Sequence, residues 1–230
     1  MKYNALMFRD FLSGIHRTAL LSFRGYYILG HVLAFGITFL LVVSGFDWWF
    51  FESTRRTLLS PIVFIAGIGG FFVPVIIPIA LHTIGQLRDS VRLRQTGAAA
   101  AQAVIVSWVI SSFYKALTGR IEPEYSSHLD MLDRSRTFNF GFFEYGIFWG
   151  WPSSHTAVAF ALASVLVVLL AHGRFGRFLA IFCASFVGIG AAIGFHWFSD
   201  VIAGAIVGIL VGITIGRVFA ARLSSATTPK

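Results

Sequence analysis

The sequence predicts an all-α polytopic membrane protein, a single domain over residues 1–230 with six transmembrane helices and an N-terminal amphipathic surface helix. Three observations predict it. The 230 residues are 57% hydrophobic and only 12% charged, about half the charged share usual in a soluble domain, and the mean hydropathy is +0.78. Six apolar stretches reach or approach the roughly 20 residues a helix needs to cross a bilayer core. The lysines and arginines lie between these stretches and are unevenly shared between the two ends they define.

The first element, within residues 1–25, spaces its apolar residues at roughly helical intervals among Arg9, Arg17 and Arg24, as expected of a helix lying in the membrane surface. The spans follow at about 27–46, 61–84, 98–114, 154–171, 178–195 and 201–220. Helices are required because an unpaired strand would leave backbone groups unsatisfied in lipid. Pro74 and Pro78 fall inside the second span and predict a kink. Few residues separate the fifth and sixth spans, so these form a tight hairpin. No cleavable leader is evident near the start.

Charge sets the orientation. With six spans, both termini share a side, and twelve of the 18 lysines and arginines fall there. That side is therefore cytoplasmic, in a membrane of the bacterial inner-membrane type, and the long 117–152 loop is extracytoplasmic. The net charge of +8 is explained by anchoring, so a nucleic-acid partner is excluded; the partners are the bilayer and a lipid. The single cysteine, Cys183, can form no intrachain disulfide. Trp48, Trp49, Trp149, Trp151 and Trp197 all fall near the outer level, the expected place of an aromatic belt.

Three polar stretches converge on that outer level: Lys115 to Pro123, Trp151 to Thr156, and Gly194 to Asp200. Ionisable groups near bilayer depth are costly and are functional candidates by default. The residues suit phosphoryl transfer. Lys115 and Arg120 supply positive charge for nonbridging oxygens, while Ser153 and Ser154 at a helix start supply donors. A neutral imidazole can attack phosphorus, and a carboxylate on its other nitrogen orients it and stabilises the cation formed. His196 and Asp200 have a spacing that puts both on one helical face. His155 is the candidate acid for the leaving oxygen and base for water. No metal and no cofactor are required, and no closely spaced ligand set for zinc is present.

These stretches resemble the three signature motifs of the type-2 phosphatidic acid phosphatase superfamily, over about Lys115 to Gly204. The resemblance implies a membrane lipid phosphatase working through a phospho-histidine. It makes His196 the nucleophile, Asp200 its orienting partner, His155 the general acid, and Lys115 and Ser153 phosphate ligands. Two motif arginines are absent. The arginine before proline is replaced by Glu122, and the serine-arginine pair of the third motif falls on Ile189 and Gly190; the second motif has Ser154 in place of glycine. Arg120, Arg134 or Arg136 would have to supply the missing charge, and Glu122 could meet a cationic or hydroxyl-rich headgroup. Two rivals remain in the sequence: a phosphotransferase using the same intermediate, and a catalytically weak lipid-binding or transport protein. The sequence does not choose among phosphatidate, phosphatidylglycerophosphate, undecaprenyl pyrophosphate and lipid A phosphates, nor does it fix the oligomeric state.

Overall fold

The computed structural model describes residues 14–55, 60–124, 132–170 and 173–227. Eight helices lie in these stretches: α1 (Ile15–Leu21), α2 (Tyr27–Val43), α3 (Phe46–Thr54), α4 (Ser60–Leu87), α5 (Val91–Thr118), α6 (Ser154–Leu169), α7 (Arg174–Gly194) and α8 (Phe198–Thr227). Among the described residues the sole β feature is an isolated bridge between Arg120 and Phe138. The protein is an all-α polytopic bundle. Four helical segments, Ile65–Leu87, Val91–Thr118, Arg174–Gly194 and Phe198–Ser225, are long and apolar enough to cross a membrane. The pair α2 and α3 passes the same test together but is bent by 70°. The 16-residue α6 is apolar and shorter.

Each boundary has a local cause. Ser90 caps α5, its side chain accepting the Leu93 N–H, and Gly119 ends that helix in the left-handed region at φ 50°, as glycine readily does. A side chain at Gly119 would also meet the Asn139 carbonyl at 2.3 Å. Ser153 caps α6 by accepting from the Thr156 N–H, satisfying a donor the helix cannot. Gly45, at φ 77°, makes the bend between α2 and α3. The expected first span of 27–46 therefore ends at Val43, and α3 sets off in a new direction. The second span runs as one helix through Pro74 and Pro78. Of the amphipathic N-terminal segment, residues 1–13 lie outside the described residues. The α1 part exposes Arg17 and buries Thr18, which bonds to Gln102 of α5.

The bundle centres on α5, α6 and α8. Val207, Val211, Ile215 and Phe219 of α8 are fully buried against Ala99, Ala103 and Val106 of α5 and Ala161 and Val165 of α6. A parallel row on α8, Gly204, Gly208 and Gly212, faces α6. A Cβ at these positions would lie 2.5, 2.2 and 2.4 Å from the carbonyl oxygens of Ser153, Ala157 and Ala161. Small residues four apart let two helix backbones touch. The outer faces reverse the soluble pattern: Leu29 and Leu33 of α2, Phe71 and Ile79 of α4, and Phe178 and Phe182 of α7 are exposed. Gln102, Ser107, Ser111 and Thr214 are buried inside. A bundle in lipid has no reason to hide its apolar surface and places polar groups between helices.

Gly208→Val is expected to push α6 away from α8. The overpacking should destabilise the protein by about 1–3 kcal/mol, read as a lower unfolding temperature in detergent; Gly36→Val, at a position with open space around it, is the control.

Candidate active site

The three polar stretches meet at one end of the bundle. The first leaves α5, the second enters α6, and the third joins α7 to α8 through residues 195–197. Because α6 and α8 touch along the glycine row, their N-terminal ends lie side by side. The Ser153 N–H donates to the Asp200 carbonyl at 3.0 Å. This register brings the rings of His155 and His196 to 6.4 Å between centroids, at an angle of 59°. Phe195 fills the corner, with its ring 5.0 Å from that of His155.

His196 is buried, and Nδ1 faces two carboxylates: Oε1 of Glu122 at 3.2 Å and Oδ2 of Asp200 at 3.6 Å. Neither is aligned closely enough to complete a hydrogen bond; such contacts commonly tighten when substrate binds. Burial lowers the His196 pKa to about 4, with Lys115 and His155 acting in the same direction and Asp200 opposing. The ring is therefore neutral near pH 7, the form with a free lone pair for attack. Glu122 moves the other way. Burial raises it to about 7, against the Gly150 N–H bond and the charge of Lys115.

Arg120, just past the end of α5, is fully buried. One terminal nitrogen, Nη1, donates to Oδ1 of Asp200 in a very short contact and to Ser199 Oγ at 2.7 Å. The other, Nη2, donates to Oδ2 of Asp47 and to the Ser135 carbonyl, both at 2.7 Å. Its guanidinium stacks over Phe138, 4.8 Å from that ring's centre. Every one of these partners belongs to the protein. Of the expected phosphate ligands, Lys115 also spends its donors on protein, binding the Phe148 and Gly150 carbonyls at 3.1 and 3.0 Å. Ser153 is buried and occupied as the α6 cap, its hydroxyl oxygen taking the Thr156 hydroxyl at 3.0 Å. Ser154 is half-buried at the first turn of α6. The alternative cations lie apart: Arg134 pairs with Glu124 in solvent, and Arg136 reaches the Val43 carbonyl.

Several residues here carried no expectation. Asp47 is fully buried at the start of α3, where it accepts from Arg120, the Ser199 hydroxyl and the Ser199 N–H. Its signal was available: a lone acid between Phe46 and Trp48 in an aromatic run. Trp151 and Trp197 correct the belt reading for those two positions. They are 1% and 2% exposed, and their indole N–H groups donate inward to Thr38 Oγ1 and the Ile121 carbonyl. Trp49 and Trp149 are exposed. His31 is buried between the Ser22 carbonyl and the Tyr114 hydroxyl. His128 and His172 lie outside the described residues. Among the described residues no group of histidines, cysteines and acids could hold a metal ion.

Removing Arg120 would strand two buried carboxylates. Arg120→Ala is expected to lose about 3–5 kcal/mol of stability and the defined structure of this end of the bundle with it. Arg120→Lys should recover little, because one ammonium cannot span both acids; thermal unfolding of the two variants in detergent checks this.

No curated protein and no solved structure gives a significant match to the chain. The PAP2 superfamily profile matches residues 96–224. That stretch is more than half of the sequence and contains all three converging segments together with most of α5, all of α6 and α7, and most of α8. The chain belongs to the PAP2 superfamily and is a phosphoric-ester hydrolase of the lipid-phosphatase type.

Proposed function

We propose that the protein hydrolyses a phosphomonoester or pyrophosphate of a membrane lipid at the extracytoplasmic face, through a phosphate bound covalently to His196. The single observation that carries this reading is the approach of His155 and His196 from separate helix connections, with carboxylates on the far nitrogen of His196. His196 Nε2 attacks phosphorus in line, and His155 gives a proton to the leaving lipid oxygen. Asp200, fixed by Arg120 and the Trp197 N–H, holds the imidazole's orientation. In the second half His155 takes a proton from water, which releases inorganic phosphate. Lys115, Ser154 and the first amides of α6 are the groups best placed to hold the nonbridging oxygens; Lys115 would exchange its carbonyl partners for the phosphate. In this reading α2 with α3, α4, α5, α6, α7 and α8 make six crossings, and both termini are cytoplasmic.

An apolar groove supports lateral entry of the lipid. A cavity of about 640 Å³ runs between α4, α6 and α7, lined by Gly69, Val73, Ala159, Ala163, Ala184 and Val187 among others. Beside it, Gly70 lies against Val187 and the His155 ring. A chain in this groove would present its phosphate to the two histidines.

His196→Ala should abolish phosphate release from every lipid of a panel holding phosphatidate, phosphatidylglycerophosphate and undecaprenyl pyrophosphate. Its helical circular dichroism should match the parent; undiminished release would remove the assigned nucleophile. Gly69→Leu, whose side chain would enter open space in the groove, should raise KM for long-chain lipid phosphates about tenfold, or ~1.4 kcal/mol. Hydrolysis of p-nitrophenyl phosphate by the same variant should be unchanged.

A further inference from the structure

We propose that Glu122 is a positioning residue for the nucleophilic imidazole, a carboxylate that supports the phospho-imidazolium and weakens the binding of phosphate itself. The inference rests on His196 being the nucleophile. It starts from distance: Glu122 Oε1 is nearer to His196 Nδ1 than is Asp200 Oδ2, at 3.2 against 3.6 Å. It continues with charge. Asp200 gives one oxygen to Arg120 and the other to the Trp197 N–H, and Asp47 is bound to the same guanidinium. Asp200 also faces the imidazole, but its charge is shared with Arg120; Glu122, held in place by the Gly150 N–H at 3.1 Å, is the second acid at Nδ1.

The chemistry needs such a charge. Before attack the ring is neutral, with its proton on Nδ1. The Nε2 lone pair forms the N–P bond as the bond from phosphorus to the lipid oxygen breaks. The electron pair of that bond leaves on the oxygen, which takes a proton from His155. The ring now carries a positive charge that lasts until water attacks, the N–P bond breaks and its electrons return to Nε2. A carboxylate about 3 Å from Nδ1 stabilises that intermediate and the transition states around it. The same carboxylate repels the phosphate dianion in the ground state. The residue therefore trades affinity for turnover, a differential effect that raises kcat. The groups facing Glu122 and His196 are Lys115 from α5, His155 from α6, Asp200 from α8 and the Gly150 N–H from the loop. Burial brings Glu122 to about 7, so its charge is present above that pH and lost below it.

The test compares the full-length wild type in detergent with Glu122→Gln, which keeps the shape and removes the charge, and with Glu122→Asp. Kinetics use the panel lipid that the wild type turns over fastest, and calorimetry measures inorganic phosphate binding without turnover. Glu122→Gln should lower kcat about tenfold and also lower KM and the phosphate Kd. Wild-type kcat and KM should rise together as pH passes through about 7, and both rises should vanish in Glu122→Gln. Glu122→Asp should keep the weak phosphate binding. A fall in kcat with KM and Kd unchanged or raised would overturn the assignment, as would unchanged kinetics. A wild type that releases phosphate from none of the lipids would defeat the hydrolase reading; tighter phosphate binding by Glu122→Gln would still be the result that supports the charge effect.

Discussion

The end of this bundle that carries the two histidines is organised by one buried guanidinium. Arg120 lies just past the end of α5, yet its two terminal nitrogens reach α3 through Asp47, α8 through Ser199 and Asp200, and the 117–152 loop through the Ser135 carbonyl. Taking three charged groups out of water is expensive, and such a cluster is tolerated only when hydrogen bonds satisfy it closely. Here the Ser199 hydroxyl and N–H and the Trp197 N–H complete the shells of the two acids. An arginine suits this task because its planar fork can serve two carboxylates at once. Gly119 allows the chain to turn so that the next residue points inward, and its lack of a side chain leaves room for the Asn139 carbonyl.

That arrangement gives the cations near the histidines partners inside the protein. Lys115 and Arg120 look, by type and spacing, like ligands for an anion. In the folded protein Arg120 answers Asp47 and Asp200, and Lys115 answers two loop carbonyls. With Glu122 included, three acids face two cations at this end. In the role proposed for Glu122, charge at the site favours the intermediate over the ground state, which is where catalysis by electrostatics has to act.

Much of the architecture was legible because hydropathy reports directly on which segments avoid water. All six apolar stretches became helices, and the residues of the three polar connections were found together. The spacing of His196 and Asp200 carried geometric information that survives folding. Partners across the bundle were less accessible. Asp47 was passed over since its counterion is 73 positions away. Trp151 and Trp197 looked like interfacial residues because hydropathy cannot separate an aromatic side chain facing headgroups from one buried behind a loop. The bend at Gly45 was missed for a related reason: the apolar character continues through α3, while the backbone turns by 70°. The row of glycines on α8 was not singled out, because nothing in the sequence said which helix would lie against it.

That row has a consequence for the whole molecule. Where Gly204, Gly208 and Gly212 meet α6, the contact is backbone on backbone, with no rotamers to shift and no gap to compress. The spacing between the two imidazoles is thus inherited from a rigid rail rather than from the outward-facing side chains of α2, α4 and α7. Those outer surfaces are free to drift among apolar residues, and to suit bilayers of different composition, without disturbing the chemistry they enclose.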